Sequence, residues 1–491
     1  MKCILAFIVL LIASTATAQP VRVGNKSDIE TSILGEVLAE LARQGGADAE
    51  ANAASGGSGV VYQAIVAGEI DAYVEYTGTL MGATLSELNL KTVDELKTAL
   101  AERGLSMTKP LGFNNTYALA VPRDLAERLD LKTTGDLADH AELRLAVSTE
   151  WSARPDGWPA LKSAYGLPFE NVAAVAEHRL LYEAARSGQA DVIEVYTTEA
   201  AIAEYDLVVL EDDLGFFPKY EAFVLYRTEL EETHPEVVAA WQNMAGSLDE
   251  ATVTRLNALV EQDKQSPAQA ASVYLETVLG SDVTIAGDTM VGRIWRRTLE
   301  HAWLVLASMA IGIAVAIPLG VAAAKHKTLG GLLLGGVGIL QTIPSLALLV
   351  FMIPLLGLGA KPAIAALFLY SLLPMVRNTH AGLTGIPQGL RESARALGLT
   401  GWQRLTKIEL PLAMPSILAG ITTSAVITVG FATLGAFVSA GGYGQPILSG
   451  LQYGNNRLLL EGAIPAAAMA IAVQLLLDGV GRLITPRGMR G

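Results

Sequence analysis

The sequence has one cysteine, Cys3, in 491 residues. No disulfide can close within the chain, and no set of thiolates can hold a metal or a cluster. Histidine is scarce too. The six (His140, His178, His234, His301, His326 and His380) show no metal-ligand spacing, so no metal is expected. No Gly-x4-Gly-Lys-Ser/Thr run occurs, so the chain has no loop of that type to cradle a nucleotide. The carboxylates of "LEDD" (Leu210–Asp213) lack a partner base. With these absences the sequence offers no catalytic residues and no cofactor of its own. Charged residues make up only 17%, whereas 51% are hydrophobic, which is the balance of a membrane protein. The length exceeds one core, so two or more domains are expected.

Charge is unevenly distributed. From Ala286 onward there are 15 basic and 6 acidic residues, whereas residues 1–285 carry 20 and 43. So acidic a front half argues against nucleic acid as a partner. The opening "MKCILAFIVLLIASTATAQP" reads as a signal peptide over residues 1–18. Lys2 precedes an apolar run from Ile4 to Ala13, and Ala16–Ala18 supply the small residues before Gln19. Cys3 would leave with it.

From Gln19 to about residue 285, short β-type runs ("VRVG", "LRLAVS", "ADVIEVY", "LVVLEDD") alternate with amphipathic helical stretches such as Thr31–Arg43 and Val93–Arg103. That pattern predicts an α/β fold with a mainly parallel sheet. The span allows two lobes, with chain crossings near Lys109–Asn114 and Asp212–Phe216. Lobe one would comprise about 19–110 and 213–285, and lobe two about 111–212.

Beyond Gly292 the text becomes polytopic. Ala302–Ala324 is 23 residues without a charge, long enough to cross a bilayer. Leu329–Ala360, Pro362–Val376, Ala413–Ser439 and Leu459–Arg482 follow, giving about five spans over 299–491. A sixth arises only if Leu329–Ala360 divides into two pieces, each too short to cross alone. With residues 19–285 outside, Lys325, Lys327, the Arg377–Lys407 loop, Arg487 and Arg490 all fall inside, as the positive-inside rule requires. Residues 286–298, with Arg293, Arg296 and Arg297, are expected to form a linker and an amphipathic helix on the lipid surface.

The inner loop reads "RESARALGLTGWQRLTKIELPLAMPS". Its frame is Glu392, Ser393, Ala394, Gly398, then Ile408, Leu410 and Pro411. It resembles the coupling motif of ABC importer permeases, departing only at Ser393, where alanine is usual. The resemblance implies two short helices joined at Gly398 and docked on a separate cytoplasmic ATPase that binds the ATP. Gly398 would permit the turn, small Ser393 and Ala394 close approach, and Pro411 entry to the next span. "QTIPSLALL" and "LYSLLPMVRNT" look like segments of permeases for quaternary-ammonium osmoprotectants (glycine betaine, carnitine, choline). Most of residues 20–282 resembles the binding proteins of the same importers, through "GEIDAYVEYTGT", "GFNNTYALAV", "RPDGWPAL" and "LVVLEDDLGFFPKYEA". "VYTTEA" departs, with Glu199 where Asp is more usual.

The resemblance implies a two-lobed periplasmic-binding-protein fold of type II, followed by an all-α type I permease domain. It further implies a multi-pass inner-membrane protein with its binding domain outside and a second copy of the chain as partner in the lipid bilayer. By motif, Tyr76, Tyr117, Tyr196 and Tyr220 would form an aromatic cage for a quaternary ammonium. Arg154 would clamp a ligand carboxylate with help from Thr79, and Tyr73 would be structural. A buried Arg154 would lack an anion if choline were bound, which ranks betaines above carnitine and carnitine above choline. The rival reading is a membrane receptor or ligand-gated channel for a quaternary ammonium or amino acid. It leaves the inner loop unexplained. Asp478 in the last apolar run is expected to lie near the inner surface.

Overall fold

The computed structural model describes residues 20–51, 55–170, 172–176, 178–280, 285 and 289–484. The leader assigned to residues 1–18, Arg487 and Arg490 lie outside them. The chain divides into two compact units, one ending at Gly287 and one beginning at Asp288.

Among its described residues the first unit holds a three-stranded and a five-stranded sheet besides two short strand pairs. In one, strand Ala222–Arg227 lies between Ala72–Tyr76 and Leu105–Met107, antiparallel to both. Two short parallel pairs extend this lobe, Val21–Arg22 with Ala49–Glu50 and Asn25–Lys26 with Ser55–Gly56. In the other, the order is Leu207–Val209, Tyr117–Pro122, Val192–Tyr196, Leu145–Ser148, Val172–Val175. The last three of these pair in parallel, but Tyr117–Pro122 runs antiparallel to both neighbours. The predicted mainly parallel sheet is therefore mixed. Tyr117–Pro122 and Ala222–Arg227 are the strands that follow a crossing. Each enters its sheet from the opposite lobe rather than over a helical crossover, so it is free to run the other way. The two crossing segments lie side by side, with Asn114 bridged antiparallel to Glu221.

Strand Ala72–Tyr76 is buried along its whole length, although it contains an acid. Glu75 is ion-paired with Lys26 at 2.6 Å, and it also accepts the Tyr73 hydroxyl at 2.9 Å and the Tyr76 N–H at 2.8 Å. Tyr73 is thus a structural donor. Glu75→Gln would leave the buried Lys26 ammonium without its anion, at a cost of about 3–5 kcal/mol. Thermal unfolding of this unit is expected to fall by roughly 6–20 °C; an unchanged melting curve would refute the pair's role.

The second unit is helical. Met290–Lys325, Ala360–Thr384, Gly401–Val438 and Asn456–Leu483 are long and apolar enough to cross a membrane. Thr328–Leu340 and Ser345–Leu356 meet at a bend of 92° and make a fifth span if counted as one. Leu329–Ala360 is therefore broken, at Pro344, which precedes the second piece. One expectation is corrected here. The basic stretch before residue 299 is no separate surface helix but the first turns of a continuous 36-residue helix capped by Thr289. No proline or paired glycine interrupts it there, and its charges find partners within the unit. Arg293 forms a forked pair with Glu461, both bonds 2.8 Å, and Arg297 reaches Glu300 at 2.9 Å.

Candidate functional site

Tyr117 opens one strand of the five-stranded sheet and Tyr196 closes its neighbour, directly opposite in register. Their rings are 4.9 Å apart. Trp151 stacks on Tyr117 at 5.6 Å with 16° between planes. Its position follows from Ser148, whose hydroxyl caps the short helix Thr149–Ala153. Tyr220, from the returning crossing, meets Tyr117 edge-on at 5.6 Å, and Phe217 lies 6.4 Å away. Four aromatic rings thus gather around Tyr117. The guanidinium of Arg154 sits over the same ring, 5.3 Å from its centre.

The first lobe closes on this cluster. The turn Thr77–Thr79 presses against Tyr220 so closely that a Cβ on Gly78 would lie 2.6 Å from its ring. Thr79 is buried there. The Thr77 hydroxyl donates to the Lys219 carbonyl at 2.9 Å and accepts from the Glu221 N–H at 3.1 Å. Gly82 approaches Asp156 of the second lobe, where a Cβ would lie 2.4 Å from the carboxylate.

Tyr76 stands apart. Among the described residues its ring contact is an edge-to-face one with Phe113 at 6.4 Å. The Lys26 ammonium lies 4.1 Å from its ring centre, and its hydroxyl donates to Glu30. The structure therefore brings Tyr117, Arg154, Tyr196 and Tyr220 together, while Tyr76 and Thr79 approach from the facing lobe.

Arg154 is not without an anion. Asp156 takes its Nε at 2.9 Å and its terminal nitrogen at 2.7 Å, and also accepts the Tyr220 hydroxyl at 3.1 Å. The ranking of betaines above choline rested on an unpaired Arg154, and that ground is removed. The anion two residues along the chain serves whether or not a ligand brings one.

Behind Tyr196 lies a buried charged group. His178 stacks on the Tyr196 ring at 4.5 Å, and its Nε2 is 3.1 Å from Glu199. Burial opposes its charge, but Glu199, Glu194 and Glu261 outweigh that and raise it to about 9, so it is an imidazolium at neutral pH. Glu199 also accepts the Tyr182 hydroxyl and the Tyr196 N–H. The longer acid in "VYTTEA" thus binds the wall of the cluster from behind.

At the other end of the chain, helices Gln388–Ala396 and Gly401–Arg404 flank Gly398, whose φ of 77° suits glycine alone at low cost. Ser393 and Glu392 are exposed, as are Leu397 (80%) and Trp402 (72%). One expectation changes: Ala394 is buried within this chain rather than presented to a partner. Pro411 stands at the start of the helix Leu410–Phe431, which the second helix enters through a wider turn at Leu405–Glu409 with Ile408 in it. The wider turn accommodates a proline, which has no N–H to donate.

A two-lobed α/β unit with an aromatic cluster at its closure, covalently joined to a polytopic helical unit carrying this inner loop, defines the class: a solute-binding domain fused to an importer permease. Residues 19–277 match the family described as the substrate binding domain of ABC-type glycine betaine transport system, and residues 316–489 match the binding-protein-dependent transport system inner membrane component. The chain belongs to these families and is a multi-pass inner-membrane transporter subunit with its binding domain on the extracytoplasmic side. It is 44% identical over 200 residues to the glycine betaine/carnitine/choline transport system permease protein OpuCB of Bacillus subtilis, covering 41% of this chain and 92% of that one. It is 43% identical over 198 residues to the osmoprotectant import permease protein OsmW of Salmonella typhimurium, covering 39% and 92%. A crystal structure of a glycine betaine/carnitine/choline ABC transporter matches 52% of this chain and 97% of its own, with 29% identity and a TM-score of 0.44.

Proposed function

We propose that this chain captures a quaternary-ammonium solute of the betaine type outside the membrane and passes it through a channel formed with a second copy of itself. A separate cytoplasmic ATPase, docked on residues 388–411, supplies the energy. The observation that carries the substrate class is the set of rings around Tyr117. A trimethylammonium group has no N–H to donate, so the electron-rich faces of aromatic rings are its natural partners. Each such contact contributes ~1–2 kcal/mol when desolvated. In this reading Tyr117, Tyr196, Tyr220 and Trp151 form the cage, and Tyr76 and Thr79 close it from the facing lobe. Arg154 greets a carboxylate by sharing or exchanging Asp156. Residues 19–285 then form the binding domain, with lobes divided at the two crossings.

Glycine betaine and choline titrated separately into the full chain in lipid nanodiscs test this. Calorimetry is expected to give dissociation constants on the order of micromolar for at least one of them. No heat and no thermal shift with either would overturn the substrate class. A similar affinity for both is compatible with the Arg154–Asp156 pair; strong preference for glycine betaine would mean that the pair opens for the ligand.

A further inference from the structure

We propose that Glu30 is a positioning residue, a single buried carboxylate that clasps the two lobes together and so sets how long the ligand is held. This rests on the binding function proposed above. Glu30 lies in the first turn of helix Ile29–Gln44, which packs on the first-lobe sheet. It is 5% exposed, and three donors from different parts of the fold converge on it. Tyr76 donates its hydroxyl from the first lobe. Asn115 Nδ2 reaches it at 3.1 Å from the segment that enters the second lobe. The Thr198 hydroxyl reaches it at 2.6 Å from beyond strand Val192–Tyr196 of the second lobe, 168 residues away in sequence. Thr198 is itself held, its carbonyl accepting from Asn257 at 3.0 Å. Opening the cleft must break the bonds from the second lobe and return Glu30 to water.

The same geometry makes closure sensitive to pH. Burial first, then the nearby charge of Asp28, push Glu30 up to about 7 in the closed form. Among the described residues, the nearby Lys26 and Glu75 are paired with each other. The second lobe faces Glu30 with Asn115 and Thr198, neither of which titrates. In the open form the carboxylate faces water and returns toward about 4.3. Closing therefore takes up a proton between those values. It is most favoured at the acid end and progressively less so as pH rises through 7. The Tyr76 and Thr198 hydroxyls can turn to accept the proton when it arrives.

The test uses the full chain with spin labels at Lys97→Cys and Arg128→Cys, exposed sites on opposite lobes, on a Cys3→Ser background. Pulsed distance measurements at pH 6 and 8.5, and glycine betaine release followed by tryptophan fluorescence, are made on this form and on Glu30→Gln and Thr198→Val. The closed fraction is expected to be larger at pH 6 in the parent, and Glu30→Gln should remove that difference. Thr198→Val should speed release about tenfold at pH 8.5, as loss of a hydrogen bond to a charged group implies. Parent-like release from Thr198→Val, or an undiminished pH dependence in Glu30→Gln, would sink the clasp. A parent that binds no glycine betaine would instead count against the substrate class, and the distance measurement without ligand would still decide on Glu30.

Discussion

Tyr117→Ala is expected to weaken glycine betaine binding about 100-fold, the largest loss of any single ring. Tyr117 touches every other member of the cluster: Trp151, Tyr196, Tyr220 and Phe217, with Arg154 above it. Its removal takes away one ammonium contact of ~1–2 kcal/mol and also the surface against which its neighbours are held. A total of about 2.7 kcal/mol corresponds to the stated factor. Tyr117→Phe keeps the ring face and should stay within about threefold. Calorimetry on both variants checks this. Equal losses would show that the hydroxyl matters and the ring face does not, and two parent-like affinities would remove Tyr117 from the site.

The second large effect lies at the inner loop. Leu397→Asp combined with Trp402→Asp is expected to abolish solute uptake, to below about a tenth of the parent rate, while ligand binding by the purified chain stays unchanged. Leu397 and Trp402 are the most exposed apolar side chains beside Gly398, and solvent exposure of two such large groups is costly unless a partner covers them. Two carboxylates there would be desolvated without counter-charge if the ATPase docked. Co-purification of the ATPase should be lost in step with uptake. Full uptake by the double variant would mean that this loop does not carry the coupling.

Much of this was legible in the sequence because its signals are local. The inner loop is one uninterrupted stretch, so its spacing from Glu392 to Pro411 survives without any knowledge of the fold. Tyr117, Tyr196 and Tyr220 each sit in short motifs at strand ends, and the fold brings those ends together. What stayed hidden depends on contacts distant in sequence. Glu30 looks like an ordinary helix-start acid answering the helix dipole, and nothing nearby announces that Thr198 will meet it. Trp151 and Asp156 flank Arg154 within a few residues, and that adjacency was the available signal for both. It was masked because a tryptophan or an aspartate in a loop is usually structural or solvated. The early start of the first long helix, at Met290, was missed for a related reason. Three arginines look like a boundary in the sequence, yet two of them are neutralised by Glu461 and Glu300 in the folded unit.

Each of three rings assigned to the ligand already bears a cation belonging to the protein. Lys26 lies over Tyr76, Arg154 over Tyr117, and the His178 imidazolium against Tyr196. A ring's electron density is finite, so a cation on one face draws it away from the other. The grip on an arriving ammonium is thereby moderated, ring by ring, below what the same tyrosines would offer in neutral surroundings. For a carrier this is useful. A trap that bound as tightly as its aromatic surface allows would be slow to empty, and a cargo destined for a pore must be surrendered within each turnover.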